Sequence, residues 1–326
     1  MDPGAFCSQT RVLIVAGKGG VGKTTVSAAL ARTAAMQGLT TLIVEVEGKS
    51  GLPAAFGHPD NLTYEEVVLS PGGGPDGAAD VRARTLTPDD ALVEYLEDHG
   101  MRRISRRLAS SGALDVVATA APGIKDILVL GKVKQLERAN AADLIVLDAP
   151  AAGHAVTFLM SAQGLLDAVT VGPIRAQAAD VIELLSDPSR CQVMLVTLPE
   201  ETPVNEVVDT AFALEDRVGV ALAPVVVNGL YPDVGDLSPD PAGLARSIGV
   251  GLTAEEAERL RRAASFRQHR HELQAQQQSR LADALPLPQL TLPFLFTTDV
   301  GPPEIDHLAR CLAESIDRLP AVMTHP

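Results

Sequence analysis

A glycine-rich loop between a predicted buried strand and a predicted helix constrains this chain most. Residues 17–24 read Gly-Lys-Gly-Gly-Val-Gly-Lys-Thr and fit the pattern G-x-x-x-x-G-K-[ST]. An apolar, β-branched run at residues 11–16 precedes the loop, and helical spacing over residues 23–37 follows it. The bare pattern arises by chance in about 1% of chains of this length, and the flanking strand and helix make chance rarer still. Residues 17–24 are therefore predicted to form a phosphate-binding loop, called the phosphate loop below.

The residue types in the phosphate loop suit the binding of a magnesium nucleotide. Glycines allow backbone N–H groups to surround the β-phosphate, and the helix N-terminus adds partial positive charge. Lys23 is expected to contact the β- and γ-phosphates, and Thr24 offers its hydroxyl to Mg²⁺. We therefore predict ATP and Mg²⁺ as the bound groups. The predicted nucleotide contacts in this loop are Gly19, Gly20, Val21, Gly22, Lys23, Thr24 and Thr25.

A carboxylate follows a second predicted buried strand. The apolar run at residues 144–147 ends directly at Asp148. A carboxylate in this position holds the hydration shell of Mg²⁺ in phosphate-loop enzymes. We predict that Asp148 is catalytic and binds the metal through water, while Thr24 binds it directly.

Buried strands alternate with helical segments along most of the chain. Further strands are expected near residues 40–46, 62–69, 81–86, 192–197, 220–228 and 289–296, and residues 47–56 are expected to lack regular structure. This alternation predicts an α/β fold with a doubly wound, mostly parallel sheet. We expect one domain over residues 1–326, with helical insertions at about 87–140 and 239–285.

The charge of the chain and the spacing of its cysteines indicate its cellular compartment and limit the classes of partner it can bind. The formal net charge is −14, which repels the phosphate backbone of nucleic acids, so no nucleic-acid partner is expected. The chain shows neither the pattern of a signal peptide nor eighteen consecutive apolar residues, which predicts a cytoplasmic protein. Cys7, Cys191 and Cys311 lie far apart and form no metal-binding pair, so no zinc or iron–sulfur cluster is expected.

Two motifs resemble those of a known family. The run K-G-G-x-G-K-T, which begins at Lys18, resembles the deviant Walker A loop of one branch of P-loop ATPases. Residues 148–154, with the pattern D-x-P-x-x-G-H, are similar to the second switch of the ArsA-like family of that branch, which includes arsenite-pump and tail-anchored-protein-targeting ATPases. The resemblance implies that Lys18 is catalytic and reaches the phosphates of a partner subunit, and it favours a switch role for His154.

Three shorter segments resemble the same family. Residues 122–126 are similar to the P-G-I-x-[DE] stretch that precedes its second switch. Residues 225–228 resemble the strand whose terminal asparagine, here Asn228, hydrogen-bonds adenine, and residues 291–294 resemble the segment whose Pro293 and Phe294 line the base. The resemblance therefore adds Asn228, Pro293 and Phe294 to the predicted nucleotide contacts.

The chain also departs from the family pattern. Where the family has an aspartate that orients the attacking water, within T-D-P-A-H, the register here gives Glu47, which we predict as the catalytic replacement. Its extra methylene moves the carboxylate, and a displacement of about 1 Å can cost about 100-fold in rate. Either hydrolysis is slow or the orienting group lies elsewhere. The chain carries a single phosphate loop, so the second site of a dimer comes from an identical subunit or from a paralogous ATPase.

These features leave several functions open. The leading hypothesis is a dimeric ATPase whose opening and closing holds and releases a client, with membrane-protein segments as one client class. The apolar run at residues 127–130 fits core packing better than a client groove. The alternatives are a regulatory subunit with weakened hydrolysis, paired with a paralogue, and a positioning or partition-type ATPase. His269 and His271 are expected to be surface residues, because residues two apart on a helix face different directions.

Overall fold

A nine-stranded sheet lies at the centre of the part of the chain that the structure describes. The structure is a computed structural model that describes residues 1–46, 51–74, 77–98, 100, 123–233, 235 and 240–320. The strands are β1 (Val12–Gly17), β2 (Thr41–Val46), β3 (Val67–Ser70), β4 (Val81–Leu86), β5 (Leu144–Ala151), β6 (Cys191–Thr197), β7 (Ala221–Leu222), β8 (Val225–Leu230) and β9 (Gln289–Pro293).

The order of the strands is that of a wound α/β sheet. It runs β3-β4-β2-β5-β1-β6-β8-β9, and β7 pairs with β6. Only the β3–β4 pair is antiparallel among the pairs of this sheet. The strands β1 and β2 are buried over their whole length, as expected for parallel strands covered on both faces. The prediction of an α/β fold with a doubly wound, mostly parallel sheet is confirmed.

Helices cover both faces of the sheet. They are α1 (Pro3–Cys7), α2 (Lys23–Met36), α3 (Gly51–Ala55), α4 (Pro88–Asp98), α5 (Ile124–Arg138), α6 (Ala152–Ala168), α7 (Pro173–Ser186), α8 (Glu201–Val218), α9 (Pro241–Ser247), α10 (Ala254–Ala284) and α11 (Pro302–Asp317). On one face, α5 to α8 pack against side chains such as Ile14 and Leu147. On the other, α2 and α11 pack against Val15 and Val146. Successive strand residues thus alternate between two apolar cores.

Several local predictions differ from the structure. The strand expected at residues 220–228 is divided into β7 and β8 because Pro224, which has no N–H group, lies between them. The segment expected to lack regular structure contains α3. The sequence analysis did not find α1, although Asp2 and Pro3 carry the signal for its start: the Asp2 carboxylate accepts a hydrogen bond from the Ala5 N–H at 2.7 Å.

The predicted insertions contain long helices. Within residues 87–140 lie α4 and α5, and within residues 239–285 lie α9 and the 31-residue α10. A capping box begins α10, because Thr253 and Glu256 exchange hydrogen bonds. The run at residues 127–130 is buried, which confirms that it packs in the core. None of the helices in the described ranges is both long and apolar enough to cross a membrane. The division of the chain into one domain with two insertions stays a prediction.

Candidate nucleotide-binding site

The phosphate loop connects the end of β1 to the first residue of α2. Gly22 has a φ of 91°, which favours glycine, and a Cβ there would lie 2.4 Å from Asn228 Nδ2. A Cβ on Gly17 would lie 2.3 Å from the Val196 carbonyl oxygen of the adjacent β6. By contrast, a Cβ on Gly19 or Gly20 would meet no atom within 4 Å. The loop is therefore packed closely at its two ends and open in the middle, where its backbone can approach a phosphate.

Lys23, Thr24 and Asp148 come together at the start of α2. Lys23 is buried, and its ammonium donates a hydrogen bond to the Lys18 carbonyl oxygen at 3.1 Å. The Thr24 hydroxyl donates to Asp148 Oδ2 at 2.7 Å, although 124 residues separate the two. Asp148 has no exposed surface. The sheet therefore brings both predicted metal-binding residues to one point beside the phosphate loop.

This pair of side chains fits Mg²⁺. Magnesium binds hard oxygen ligands and is usually held by one or two carboxylates together with phosphate oxygens and water. Thr24 supplies a hydroxyl oxygen and Asp148 a carboxylate, and the N-terminus of α2 faces the same region. The groups present are thus of the kind that a magnesium nucleotide requires.

The sequence analysis did not single out Glu45, a buried carboxylate next to Asp148. Glu45 lies on β2 in register with Asp148 on β5, and its side chain is 1% exposed. The Thr85 hydroxyl donates a hydrogen bond to Glu45 Oε2 at 2.9 Å. Neighbouring residues in register point to the same face of a sheet, so the Glu45 carboxyl group lies on the same face as Asp148, beside the candidate metal site. The position of Glu45 within an apolar strand is a sequence signal that could have identified it. Glu47 lies outside the described residues.

Asn228 contacts the phosphate loop itself. Its Nδ2 donates a hydrogen bond to the Val21 carbonyl oxygen at 2.9 Å. The resemblance had implied that this amide contacts adenine, and that role stays a prediction. What the structure shows is a link between the end of β8 and the phosphate loop, which fixes the loop against the sheet.

An aromatic cluster follows Asn228 and includes the predicted Phe294. The Tyr231 ring lies 5.0 Å from Phe294 and 5.5 Å from Phe296, and Phe294 lies 4.9 Å from Phe296, between ring centroids. The Arg267 guanidinium lies 5.0 Å from the Phe296 centroid. Gln274 joins α10 to this region, since it accepts from the Tyr231 N–H and donates to the Gly229 carbonyl. Asn228, which contacts the phosphate loop, is three residues before Tyr231, and flat rings of this kind suit the stacking of a base.

Pro293, the other predicted base contact, is the last residue of β9 and pairs with Leu230 in register. The Phe294 N–H that follows it donates to the Leu230 carbonyl at 2.7 Å. Sequence reasoning missed Tyr231, Phe296 and Arg267. Tyr231 lies only three positions after Asn228, and this spacing could have predicted that it belongs to the same site. No local sequence pattern connects Arg267 to the aromatic cluster.

The two roles of Asn228 predict different outcomes when it is replaced. We expect Asn228→Ala to weaken ATP binding about 5- to 10-fold, because one buried hydrogen bond to the loop is worth about 1 kcal/mol. If the amide only fixes the loop, the affinities for ATP and GTP fall by the same factor. If it also contacts adenine, the affinity for ATP falls more. Titration with both nucleotides measures the ratio, and unchanged affinity for both contradicts both roles.

Lys18 makes a contact away from its own loop. Its ammonium lies 2.6 Å from Glu206 Oε1 on α8, and both side chains are about two-fifths exposed, at 39% and 41%. Lys18 is thus held at the outer edge of the phosphate loop by a residue of the same chain.

The other candidate residues are histidines and cysteines. His154 falls within α6, and its side chain lies outside what the structure describes. His269 and His271 are exposed, as predicted. Burial raises the pKa of the Cys7 and Cys191 thiols to about 12, which disfavours the thiolate that metals bind. The described residues hold no group of three or more His, Cys, Asp and Glu suited to a metal ion. That no zinc or iron–sulfur cluster is bound stays a prediction.

The sheet order, the phosphate loop at the end of β1 and Asp148 within β5 define a P-loop nucleoside triphosphatase fold. The family model described as anion-transporting ATPase matches residues 10–171. ATPase BagA of Mycobacterium tuberculosis is 31% identical over 304 residues, which cover 88% of each chain. The chain belongs to the anion-transporting, ArsA-type ATPase family.

Arsenical pump-driving ATPases are also similar, over a part of their length. The putative pump-driving ATPase of Halobacterium salinarum is 30% identical over 248 residues, which are 70% of this chain and 37% of that protein. The Escherichia coli arsenical pump-driving ATPase is 27% identical over 240 residues, 68% of this chain and 39% of that protein. This chain thus matches less than half the length of those relatives.

Proposed function

We propose that this protein is a Mg-ATP-dependent ATPase that works as a dimer and couples hydrolysis to opening and closing of the pair. The observation that carries this proposal is the 2.7 Å contact between the Thr24 hydroxyl and the Asp148 carboxylate beside the buried Lys23. These are the side chains that hold a magnesium nucleotide in phosphate-loop enzymes. Family membership supports the same chemistry.

Each residue has a part in the proposed reaction. Loop N–H groups and the Lys23 ammonium bind and orient the phosphates, and they stabilise the charge that develops in phosphoryl transfer. Thr24 and Asp148 would hold Mg²⁺, which supplies further positive charge to the phosphate oxygens. Glu47 orients the attacking water in this proposal, and the Glu45 carboxyl group lies beside Asp148 within the sheet.

Two features support the proposal of a dimer: Lys18 and the single phosphate loop in the sequence. The Lys18 side chain is two-fifths exposed at the edge of the loop, and its ammonium contacts Glu206 on α8. In the proposed closed dimer this ammonium reaches the phosphates of the partner subunit, so that each site is completed by charge from the other chain. The partner is a second copy or a paralogous ATPase.

The exposed apolar side chains bear on where a client would bind. Because the run at residues 127–130 is buried, it does not supply an apolar client groove. Large exposed apolar side chains in the described ranges are concentrated on and between α9 and α10, where Ile248 is 71% and Phe266 67% exposed. We propose that closure of the dimer holds a client, with segments of membrane proteins as one class. We do not propose arsenite as a substrate of this protein, because the Cys7 and Cys191 thiols are buried.

Sedimentation of the purified chain tests the dimer. With Mg-ADP and aluminium fluoride as a transition-state mimic, we expect the wild type to sediment as a dimer and Lys18→Ala to remain largely monomeric while still binding ATP. The loss follows because the closed interface would no longer receive the trans ammonium. Arg262→Ala, which removes one exposed positive charge from α10, serves as the control. A Lys18→Ala variant that dimerises like the wild type contradicts the trans role.

One observation favours a second function, a regulatory subunit with weakened hydrolysis. Glutamate at position 47 replaces the aspartate that the family places there. In that case the pure chain binds ATP with little turnover and gains turnover only when mixed with a paralogous ATPase. The same sedimentation experiment separates the two functions, because self-association of the pure chain favours the homodimer.

A further inference from the structure

The ion pair between Lys18 and Glu206 joins two parts of the chain that are 188 residues apart. Glu206 lies in the second turn of α8, which begins shortly after β6 ends. Its backbone is fixed by the helix, and its carbonyl oxygen accepts a hydrogen bond from the Thr210 hydroxyl at 2.6 Å. The helix α8 packs against α6 and β6, so the carboxylate stands on a supported element while the lysine stands on a loop.

We propose that Glu206 is a positioning residue that holds Lys18 within its own subunit, and that closure of the nucleotide-bound dimer requires Lys18 to exchange this carboxylate for the partner's phosphates. The inference rests on the proposed function, in which Lys18 acts in trans. In this proposal the Lys18 ammonium, which lies 2.6 Å from the Glu206 carboxylate, leaves it to contact the partner's phosphates. The pair therefore opposes closure, and more negative charge on the phosphates favours the exchange.

The exchange gives Glu206 a definite effect on the dimer. Both partners are about two-fifths exposed, so each pair contributes little and is weakened by salt. A symmetric dimer breaks two such pairs, so the effect on the association constant is the square of the effect per pair. Removing the carboxylate charge is expected to raise nucleotide-linked association about 3- to 10-fold. A residue that merely supported the fold would lower association instead.

The first test compares charge-neutralising substitutions on the same helix. Sedimentation with the transition-state mimic is expected to show tighter association for Glu206→Gln than for the wild type, with the difference shrinking at high salt. Asp209→Asn, which removes a charge from an exposed position of α8, is the matched control and should leave association unchanged. In a Lys18→Ala background Glu206→Gln should have no effect. Association that is unchanged or weaker in Glu206→Gln overturns the proposal.

The second test detects the pair directly. A zero-length carbodiimide should join the Lys18 amine to the Glu206 carboxylate in nucleotide-free protein, and mass spectrometry of a mixture of ¹⁴N- and ¹⁵N-labelled chains should show that the link is within one chain. The transition-state mimic should reduce the yield of this link. No link without nucleotide, or an undiminished link in the dimer, overturns the proposal.

These results also separate the two levels of the account. If the cross-link forms but Lys18→Ala dimerises normally, the trans role of Lys18 fails although the pair exists. If Lys18→Ala abolishes dimerisation while Glu206→Gln behaves like Asp209→Asn, the proposed function stands and the positioning role of Glu206 is wrong. A chain that stays monomeric in every variant contradicts the homodimer and the exchange together.

Discussion

Replacing Lys23 with alanine is expected to lower ATP turnover by about 10²- to 10³-fold, the loss typical of removing one preorganised group that stabilises transition-state charge. Lys23 is the first residue of α2 and is buried beside the loop, where its ammonium would contact the phosphates. Steady-state hydrolysis at saturating Mg-ATP measures the effect. Direct titration of the variant with ATP shows how much of the loss is binding.

Two controls accompany this variant. Lys23→Arg keeps the charge but replaces a compact ammonium with a planar guanidinium, and it should lose nearly as much turnover. Thermal unfolding should show that both variants remain folded, because other residues form the two apolar cores. Turnover of Lys23→Ala within a few-fold of the wild type would show that the site has been assigned to the wrong residues.

The second large effect is expected for Asp148→Asn, which should lower turnover about 100-fold and raise the Mg²⁺ concentration needed for half-maximal activity. The substitution keeps the size of the side chain but removes the buried charge that faces Thr24. Hydrolysis measured across a Mg²⁺ titration gives both quantities.

Asp143→Asn is the matched control, because Asp143 precedes the same strand at its opposite end. Hydrogen bonds from Thr40 hold the pKa of the Asp143 carboxyl below its usual range, far from the phosphate loop. We expect this variant to lose some stability and to keep its Mg²⁺ dependence. An Asp148→Asn variant with the wild-type Mg²⁺ requirement would contradict the proposal that Asp148 helps to bind the metal.

Much of the fold could be predicted because its signals are local. An apolar run, a glycine-rich loop and a helix follow one another directly at the phosphate loop. The sequence of each segment predicts its local conformation. The apolar run that leads to Asp148 is equally visible, although β5 continues beyond it to Ala151. Which strands become neighbours follows from the rules of wound α/β sheets, so the meeting of Thr24 with Asp148 could be expected from sequence.

The rest of the site depends on contacts that no local pattern encodes. The pairing of Lys18 with Glu206 and the placement of Arg267 over the aromatic cluster bring together residues from separate elements. The hydrogen bond from Asn228 to Val21 likewise depends on the packing of β8 beside the loop. Tertiary packing sets these contacts, and one sequence without a structure does not specify them.

Glu45 shows a different reason for a missed residue. The family pattern directed attention to position 47, two residues further on. The structure places the carboxylate of Glu45 inside the sheet, in register with Asp148 and hydrogen-bonded by Thr85. A buried carboxyl group in a strand is costly unless it is hydrogen-bonded, and the Thr85 hydroxyl supplies one such bond.

Calorimetry of nucleotide binding tests the central claim most directly. Well-folded wild-type protein titrated with ATP or ADP in the presence of Mg²⁺ is predicted to take up one nucleotide per chain, and chelation of the metal should weaken ATP binding. Absence of uptake of either nucleotide by folded protein with Mg²⁺ present would contradict the account.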